Sequence, residues 1–380
     1  MSSKKKEKRG LIAKYRTLEK KKRILLAVIA AVLAVAILGS LIYFALPKSP
    51  VVMRYGTGAL REDAYSYWFS CYKYRYLVAY KQLGIEDSEL GWAEIDPQSG
   101  KSYDEAFKEA IDKEISLRFI ASVLFDKATV SLTDTELAYV ESTLEGMEEY
   151  SYGEPVYEIL EERYGVGKRE LKRVALYELK YKALLSYRFG SDFGGVYSEE
   201  HRLDLEAFYR DHYKRFNFVY LSDKDNAKAQ KDLREFIASG ITEAAFTEWE
   251  REYSESPVTE SYPNGIYLYD GMSYNTRFSE ELLSAFYSLE VGDTAEVRNA
   301  KDDGTYFVMR YELDEAPYLS SDKKIALSLE GFAEYAARSL YREELEECLA
   351  DVEAVDELVS KYTPKTVEKE KDYNIVDLIG

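Results

Sequence analysis

The sequence predicts an α+β multidomain chain: an N-terminal transmembrane helix, a mainly α-helical region, an inserted α+β unit and further C-terminal helices. Three observations predict it. Residues 24–46 form one long apolar run without a charge. From 60 to 213 apolar residues recur at helical spacing between glycine-containing breaks. At Phe216 the pattern switches to aromatic-rich alternation, the mark of a half-buried strand.

The chain has 380 residues, 46% hydrophobic and 32% charged, a composition that suits folded domains rather than disorder. Residues 1–23 carry eleven Lys/Arg against Glu7 and Glu19, a net +9; the whole chain is −18, which leaves −27 beyond this basic stem. An acidic body of that size repels phosphate backbones, so no nucleic-acid partner is expected. An RNA-binding tail is the other reading of the stem, but its place beside the apolar run favours a membrane-flanking role. Residues 24–46, ILLAVIAAVLAVAILGSLIYFAL, would span about 35 Å as a helix, enough for a bilayer core of about 30 Å. Positive charge on its N-terminal side predicts a cytoplasmic stem and an extracytoplasmic body. Tyr43 and Phe44 suit an interfacial aromatic belt, and Pro47 and Pro50 end the helix. A cleaved signal peptide is the rival, but its apolar region would be shorter, about 7–15 residues.

Residues 47–59 read as a Pro- and Gly-containing linker. A helix over 60–83 follows, with Ala64, Tyr67, Trp68, Cys71, Tyr74 and Val78 on one face. Gly84, Gly91, Pro97 and Gly100 mark a loop over 84–101. A second helix at 102–128 buries Phe107, Ala110, Ile111, Leu117, Ala121 and Leu124. Thr133 with Glu136 forms a capping box that opens a helix to Met147. Helices at 154–163, 168–189 and 198–213 complete the first region, 60–213. The second, 214–316, begins with the strand FNFVYL (216–221). Helices at 223–238 and 242–252, a Pro/Gly-containing segment at 255–275 and a helix at 279–289 follow. Strands at 294–298 and 305–312, joined through Asp302-Asp303-Gly304, close it as a compact α+β unit. Residues 317–380 return to helix at 332–349 and 352–361, then a charged tail. No internal repeat is present.

The second unit resembles a parvulin domain, the peptidyl-prolyl isomerase module of extracytoplasmic foldases of the PrsA/SurA type. The resemblance rests on FVYLSDKDNAKAQKDLREFIASG (218–240), AAFTEWEREYSES (244–256), Asn264-Gly265, LLSAFYSLEVGDTAEV (282–297) and GTYFVMRYE (304–312). It implies that 60–213 is the helical chaperone region preceding such a domain. It likewise implies that the helices at 332–361 complete that lobe; YSEEHRLDLEAFYRDHYKRF (197–216) resembles the family's helix leading into the first strand. If the first and last helices share a lobe, a bridge between Cys71 and Cys348 is conceivable. Two small buried residues are the plainer reading of these thiols.

This sequence departs from the family at its site. Of the family's two histidines, aligning by Asp223 and Ala227-Lys228 puts Phe218 at the first, and aligning by Tyr306 puts Phe307 at the second. The acidic or thiol position becomes Ser256, and Gly265-Ile266-Tyr267 replaces the family's Asp-Leu-Gly. Phenylalanine neither donates nor accepts a hydrogen bond, so the catalytic set is degenerate at Phe218, Ser256 and Phe307. The apolar half survives in Tyr269, Met272, Phe278 and Phe286, the candidate peptide-binding residues. Phe on a half-buried strand is equally an ordinary core residue.

Other chemistries fail on residue count. His201 and His212 are the only histidines, expected at the surface of the linking helix, and no Gly-x-Ser-x-Gly accompanies them. Gly167-Lys168 lacks the upstream glycine of a phosphate loop, with Glu162 in its place. Asp223-Lys224-Asp225 begins like a calcium loop, but its sixth position is not Gly and its twelfth is Arg234. No metal and no cofactor are expected. The 35 tyrosines suit adaptable contacts with extended chains, or reflect compositional bias.

The expected function is a membrane-anchored extracytoplasmic foldase or chaperone for unfolded or nascent secreted polypeptides, held to the bilayer through 24–46, with a weak or inactive parvulin-like domain. An active prolyl isomerase and an envelope scaffold are the alternatives.

Overall fold

In a computed structural model of the chain, residues 49–82, 91–96, 99–149, 153–256, 258–269, 278–299, 304–329 and 331–379 are described. The stem, the anchor segment 24–46 and Met272 lie outside them. Among the described residues no helix is long and apolar enough to cross a membrane.

The elements run β1 (Val51–Tyr55), β2 (Gly58–Arg61), α1 (Glu62–Gln82), α2 (Tyr103–Lys127), α3 (Asp134–Glu149), α4 (Val156–Tyr164) and α5 (Lys168–Phe189). Next come α6 (Arg202–His212), β3 (Tyr213–Ser222), α7 (Ala227–Ala238), α8 (Glu243–Tyr253), β4 (Ile266–Tyr269), α9 (Glu280–Ser288), β5 (Thr294–Asn299) and β6 (Gly304–Tyr311). The chain closes with α10 (Lys323–Ser328), α11 (Phe332–Glu347), β7 (Glu353–Ala354), α12 (Asp356–Val359) and α13 (Ile375–Ile379). It divides into two compact units, one made of residues 1–112, 147–174 and 352–375, the other of 113–146, 175–351 and 376–380.

The first unit holds a small antiparallel sheet in the order β2-β1-β7. Residues 51–55, expected as linker, are therefore a strand, with Val52 and Met53 buried. The expected helix at 352–361 is instead β7 and the single turn of α12. Pairing of Met53 with Ala354 and Arg54 with Glu353 overrides local helix preference there. Along α1, Ala64, Tyr67, Trp68 and Cys71 are buried as expected, but Val78 is exposed and Tyr65, Phe69 and Tyr72 are buried too. A helix that buries residues on most sides is a core helix rather than a surface one, so its single-face reading was too narrow.

The irregular segment 360–374 lies along α1 and is gripped through its backbone. Tyr67 Oη donates to the Tyr373 carbonyl at 2.5 Å and accepts from the Ile375 N–H at 3.0 Å. Lys73 Nζ donates to the Val367 carbonyl at 2.8 Å, and Asn374 Nδ2 to the Cys71 carbonyl at 3.3 Å. The Thr133–Glu136 capping box forms reciprocally, with bonds of 2.7 and 3.2 Å. Both cysteines are free thiols.

In the second unit the sheet order is β4-β3-β6-β5, antiparallel throughout. Helix α9 covers one face, where Leu282 and Phe286 pack on Phe216, Phe218, Ile266, Leu268 and Val308. On the other face Leu233 of α7 and Phe246 of α8 pack on Val219, Leu221, Phe307 and Met309. Each such large apolar side chain contributes roughly 1.5–3 kcal/mol by burial. The helical part of this unit contains a charged cluster: Arg118 bonds Glu178 at 3.0 Å and pairs with Glu114, and Arg342 reaches Glu114 at 2.7 Å.

The Asn264-Gly265 turn into β4 requires its glycine. Gly265 has φ +88°, and a Cβ there would lie 2.6 Å from the Phe216 carbonyl oxygen, a backbone atom of the central strand. Gly265→Ala should cost about 1–3 kcal/mol. The check is the shift in the urea midpoint against wild type; an unchanged midpoint refutes it.

Candidate peptide-binding site

Strand register decides which side chains share a site. In β3 and β6, Phe218 lies opposite Val308, Tyr220 opposite Tyr306, and Val219 opposite Phe307. Successive side chains point to opposite faces of a sheet. Phe218, Tyr220, Tyr306 and Val308 therefore share one face, and Phe307 lies on the other. The expectation that Phe218 and Phe307 stand together in one site is corrected. A slip of one residue in aligning the closing strand moves its whole set to the wrong face.

Phe307 is 1% exposed in the α7/α8 core, with the Arg234 guanidinium 5.4 Å from its ring; Arg234 in turn pairs with Glu296 at 2.6 Å. The residue beside Phe218 is Tyr306, which the sequence reading used as an alignment anchor and missed as a site residue. Its ring lies 5.2 Å from Phe218, nearly perpendicular, and 4.7 Å from Tyr220. Phe278 stands edge-on to Phe218 at 6.3 Å and to Phe286 at 5.4 Å, and Phe286 stacks on Phe216 at 4.7 Å. Phe218 and Phe286 form the buried floor, and the half-buried Tyr306, Tyr220 and Phe278 form the rim. Counting alternate positions back from Val308 would have pointed to Tyr306.

Ser256 sits exposed in the turn after α8. Its N–H donates to Ser254 Oγ at 3.3 Å, and Ser254, not Ser256, is the serine tied to the sheet, accepting from the Tyr220 N–H at 3.0 Å. The Glu255 N–H donates to the Tyr220 carbonyl at 2.9 Å. Beyond the turn, the fully buried Glu250 carboxylate accepts from the N–H groups of Val258 and Thr259 and from the Thr259 hydroxyl. Burial raises the Glu250 carboxyl, partly opposed by those backbone donors. The loop is thus pinned at both ends along the rim.

Tyr269 does not join this group. It stacks on Tyr335 at 5.0 Å with ring planes 9° apart, and also meets Phe208 and Tyr213. His201 and His212, expected at the surface, are half-buried against Phe189 and Phe208, at 5.0 and 4.9 Å. Asp223 is bound up structurally, accepting from Gln230 at 3.0 Å.

A polar cluster that the sequence reading did not single out lies at the far end of β3. Arg215 bonds Glu243 at 2.8 Å and pairs with Asp314, and Asp314 accepts from Tyr267 Oη at 2.5 Å and Asn264 Nδ2 at 2.9 Å. Arg215, Glu243, Asn264 and Asp314 border an open cleft of about 720 Å³. Glu243 and Asp314 are both engaged by the protein, so this cluster fixes the chain leaving β6.

Chemically, the face around Phe218 offers an apolar floor with two phenols at its rim.

No family model matches the chain, and no curated protein matches it. It is similar to the solved structure of the peptidylprolyl isomerase PrsA from Bacillus anthracis, at 16% identity over 63% of this chain and 94% of that one, with a TM-score of 0.23. For PrsA from Bacillus subtilis the values are 16%, 68%, 93% and 0.24; for foldase protein PrsA from Streptococcus pneumoniae they are 15%, 70%, 97% and 0.21. Their TM-scores lie below 0.5, so no property of the chain is drawn from them.

Proposed function

We propose that this chain is a membrane-anchored, extracytoplasmic foldase or chaperone that binds unfolded or nascent secreted polypeptides. In this reading 1–23 is a cytoplasmic stem, 24–46 the anchor, 47–59 the passage into the body and 60–213 with 317–380 the chaperone region. The unit at 214–316 grips peptides with little or no isomerase activity. The observation that carries the reading is the face around Phe218, an aromatic cup where the resembling family has histidine. X-Pro isomerisation is slow unaided, taking tens to hundreds of seconds, and binding a peptide equally well in ground and transition states leaves that barrier in place.

Aggregation of an unfolded model substrate tests it: several-fold excess of the full chain should suppress light scattering, and no suppression counts decisively against the reading. A second reading, an active prolyl isomerase, is favoured by one feature, the Tyr306 phenol, which is able to donate a hydrogen bond toward a bound amide. In a protease-coupled X-Pro assay the chain is expected to give the uncatalysed rate. Catalysis that disappears in Tyr306→Phe would establish the second reading instead.

A further inference from the structure

We propose that the first unit is seated directly on the lipid headgroups of the outer leaflet, and that the corner where β1 meets α1 is the contact. The inference rests on the membrane-anchored reading above and deepens it by saying where the body stands once residues 24–46 span the bilayer.

Chain length sets the distance. The apolar run ends at Leu46, and the described residues begin at Ser49. Three fully extended residues reach at most about 10–11 Å. The headgroup layer of one leaflet is about 5–8 Å thick, half the difference between a whole bilayer and its hydrocarbon core. Ser49 therefore lies among the headgroups or a few ångströms above them. It is not the start of a loose tether. Arg61 Nη1 donates to the Ser49 carbonyl at 2.6 Å, the Glu62 N–H donates to the Pro50 carbonyl at 2.9 Å, and Val51 opens the β1–β2 ladder opposite Arg61. The folded body thus starts at the membrane surface, and everything bonded to the first turn of α1 is held there with it.

Residues remote in sequence are drawn to the same corner. Tyr362 Oη donates to the Glu62 carboxylate at 3.0 Å, and Lys361 Nζ lies 3.7 Å from it. The exposed Val355 donates its N–H to the Val52 carbonyl at 2.8 Å. A phenol, a long-stemmed cation and an uncovered valine suit the boundary between headgroups and water. Charge does not set the seat, because Arg61 and Lys361 are answered at this corner by Glu62, Asp63, Asp356 and Glu357. The contact should accordingly hold in high salt, which screens attraction between a cationic patch and anionic lipid.

Quenching by a nitroxide on the lipid headgroup tests the proposal, with the full chain reconstituted in phosphatidylcholine vesicles. A dye is placed on Lys361→Cys, an exposed position 315 residues beyond Leu46 in sequence (361 − 46), in a Cys348→Ser background; Cys71 is fully buried and stays unlabelled. Val355→Cys supplies a second label. Headgroup nitroxide should lower the emission of both dyes about twofold or more. An insert of about twelve Gly/Ser residues after Lys48 adds a coil of about 20 Å and should restore most of that emission. Emission unaffected by the nitroxide, in vesicles that retain the chain, overturns the seat and leaves the anchor standing. Quenching that survives the insert in full, or that high salt abolishes, overturns chain length as its cause. A chain that fails to float with the vesicles removes the anchor reading, and the seat with it.

Discussion

Arg118→Ala is expected to lower the stability of the second unit by about 3–5 kcal/mol, the usual cost of removing one member of a buried ion cluster. The guanidinium bonds Glu178 at 3.0 Å, pairs with Glu114 and lies 4.6 Å from the Tyr181 ring. Glu178 has 3% of its side chain exposed and Glu114 12%, so neither carboxylate regains water when the cation is lost. Urea denaturation followed by circular dichroism measures it, and a loss below 1 kcal/mol would refute it. The same cluster gives a pH dependence. Burial pushes the Glu114 carboxyl up, but Arg118 and Arg342 outweigh it and hold it below its ordinary value of 4.5. A carboxyl lowered in the folded state adds stability above its unfolded value, and that stability is lost as pH falls through the folded value. Wild type should therefore lose stability below about pH 4.5 more steeply than Glu114→Gln.

Phe286→Ala is expected to cost about 3–5 kcal/mol, the range for removing a fully buried aromatic ring. Phe286 is 0% exposed, stacks on Phe216 and supports Phe278 at the rim of the cup. Phe307→Ala should cost a similar amount, because Phe307 is buried equally well in the opposite layer. The two faces separate in binding. Tyr306→Ala should weaken capture of an X-Pro peptide about tenfold, while Phe307→Ala, compared at equal folded fraction, should leave it unchanged. Loss of binding in Phe307→Ala alone would refute the assignment of faces.

The parts of the fold legible in the sequence were those with long local patterns. Alternation through FNFVYL marked β3, the Thr133–Glu136 spacing opened α3, and glycines separated the helices. What was missed depends on partners distant in sequence. Strand β7 is two residues long and exists only because Met53 and Arg54 lie opposite it. The VVMRY strand was hidden by the neighbouring prolines and glycines. At the site, Phe218 was found by aligning it with the family's first histidine, and Phe278 and Phe286 as apolar residues of the surviving groove; the three pack together. Tyr306 was missed because the facing of two strands is a property of the pair: neither strand alone says which residue stands opposite which.

The grip of α1 on segment 360–374 has a consequence for how the chain is made. Tyr67 and Tyr373 are 306 residues apart. Closing so long a loop carries an entropic penalty that grows with its length, and contacts of high sequence separation form slowly. During vectorial synthesis α1 emerges with its aromatic side chains while segment 360–374, which covers it, is still hundreds of codons from the ribosome exit. The β3–β6 sheet, whose members lie within about a hundred residues, completes well before that. The newborn protein thus passes through an interval in which α1 is itself an aggregation-prone stretch without this cover, until residues 360–374 arrive.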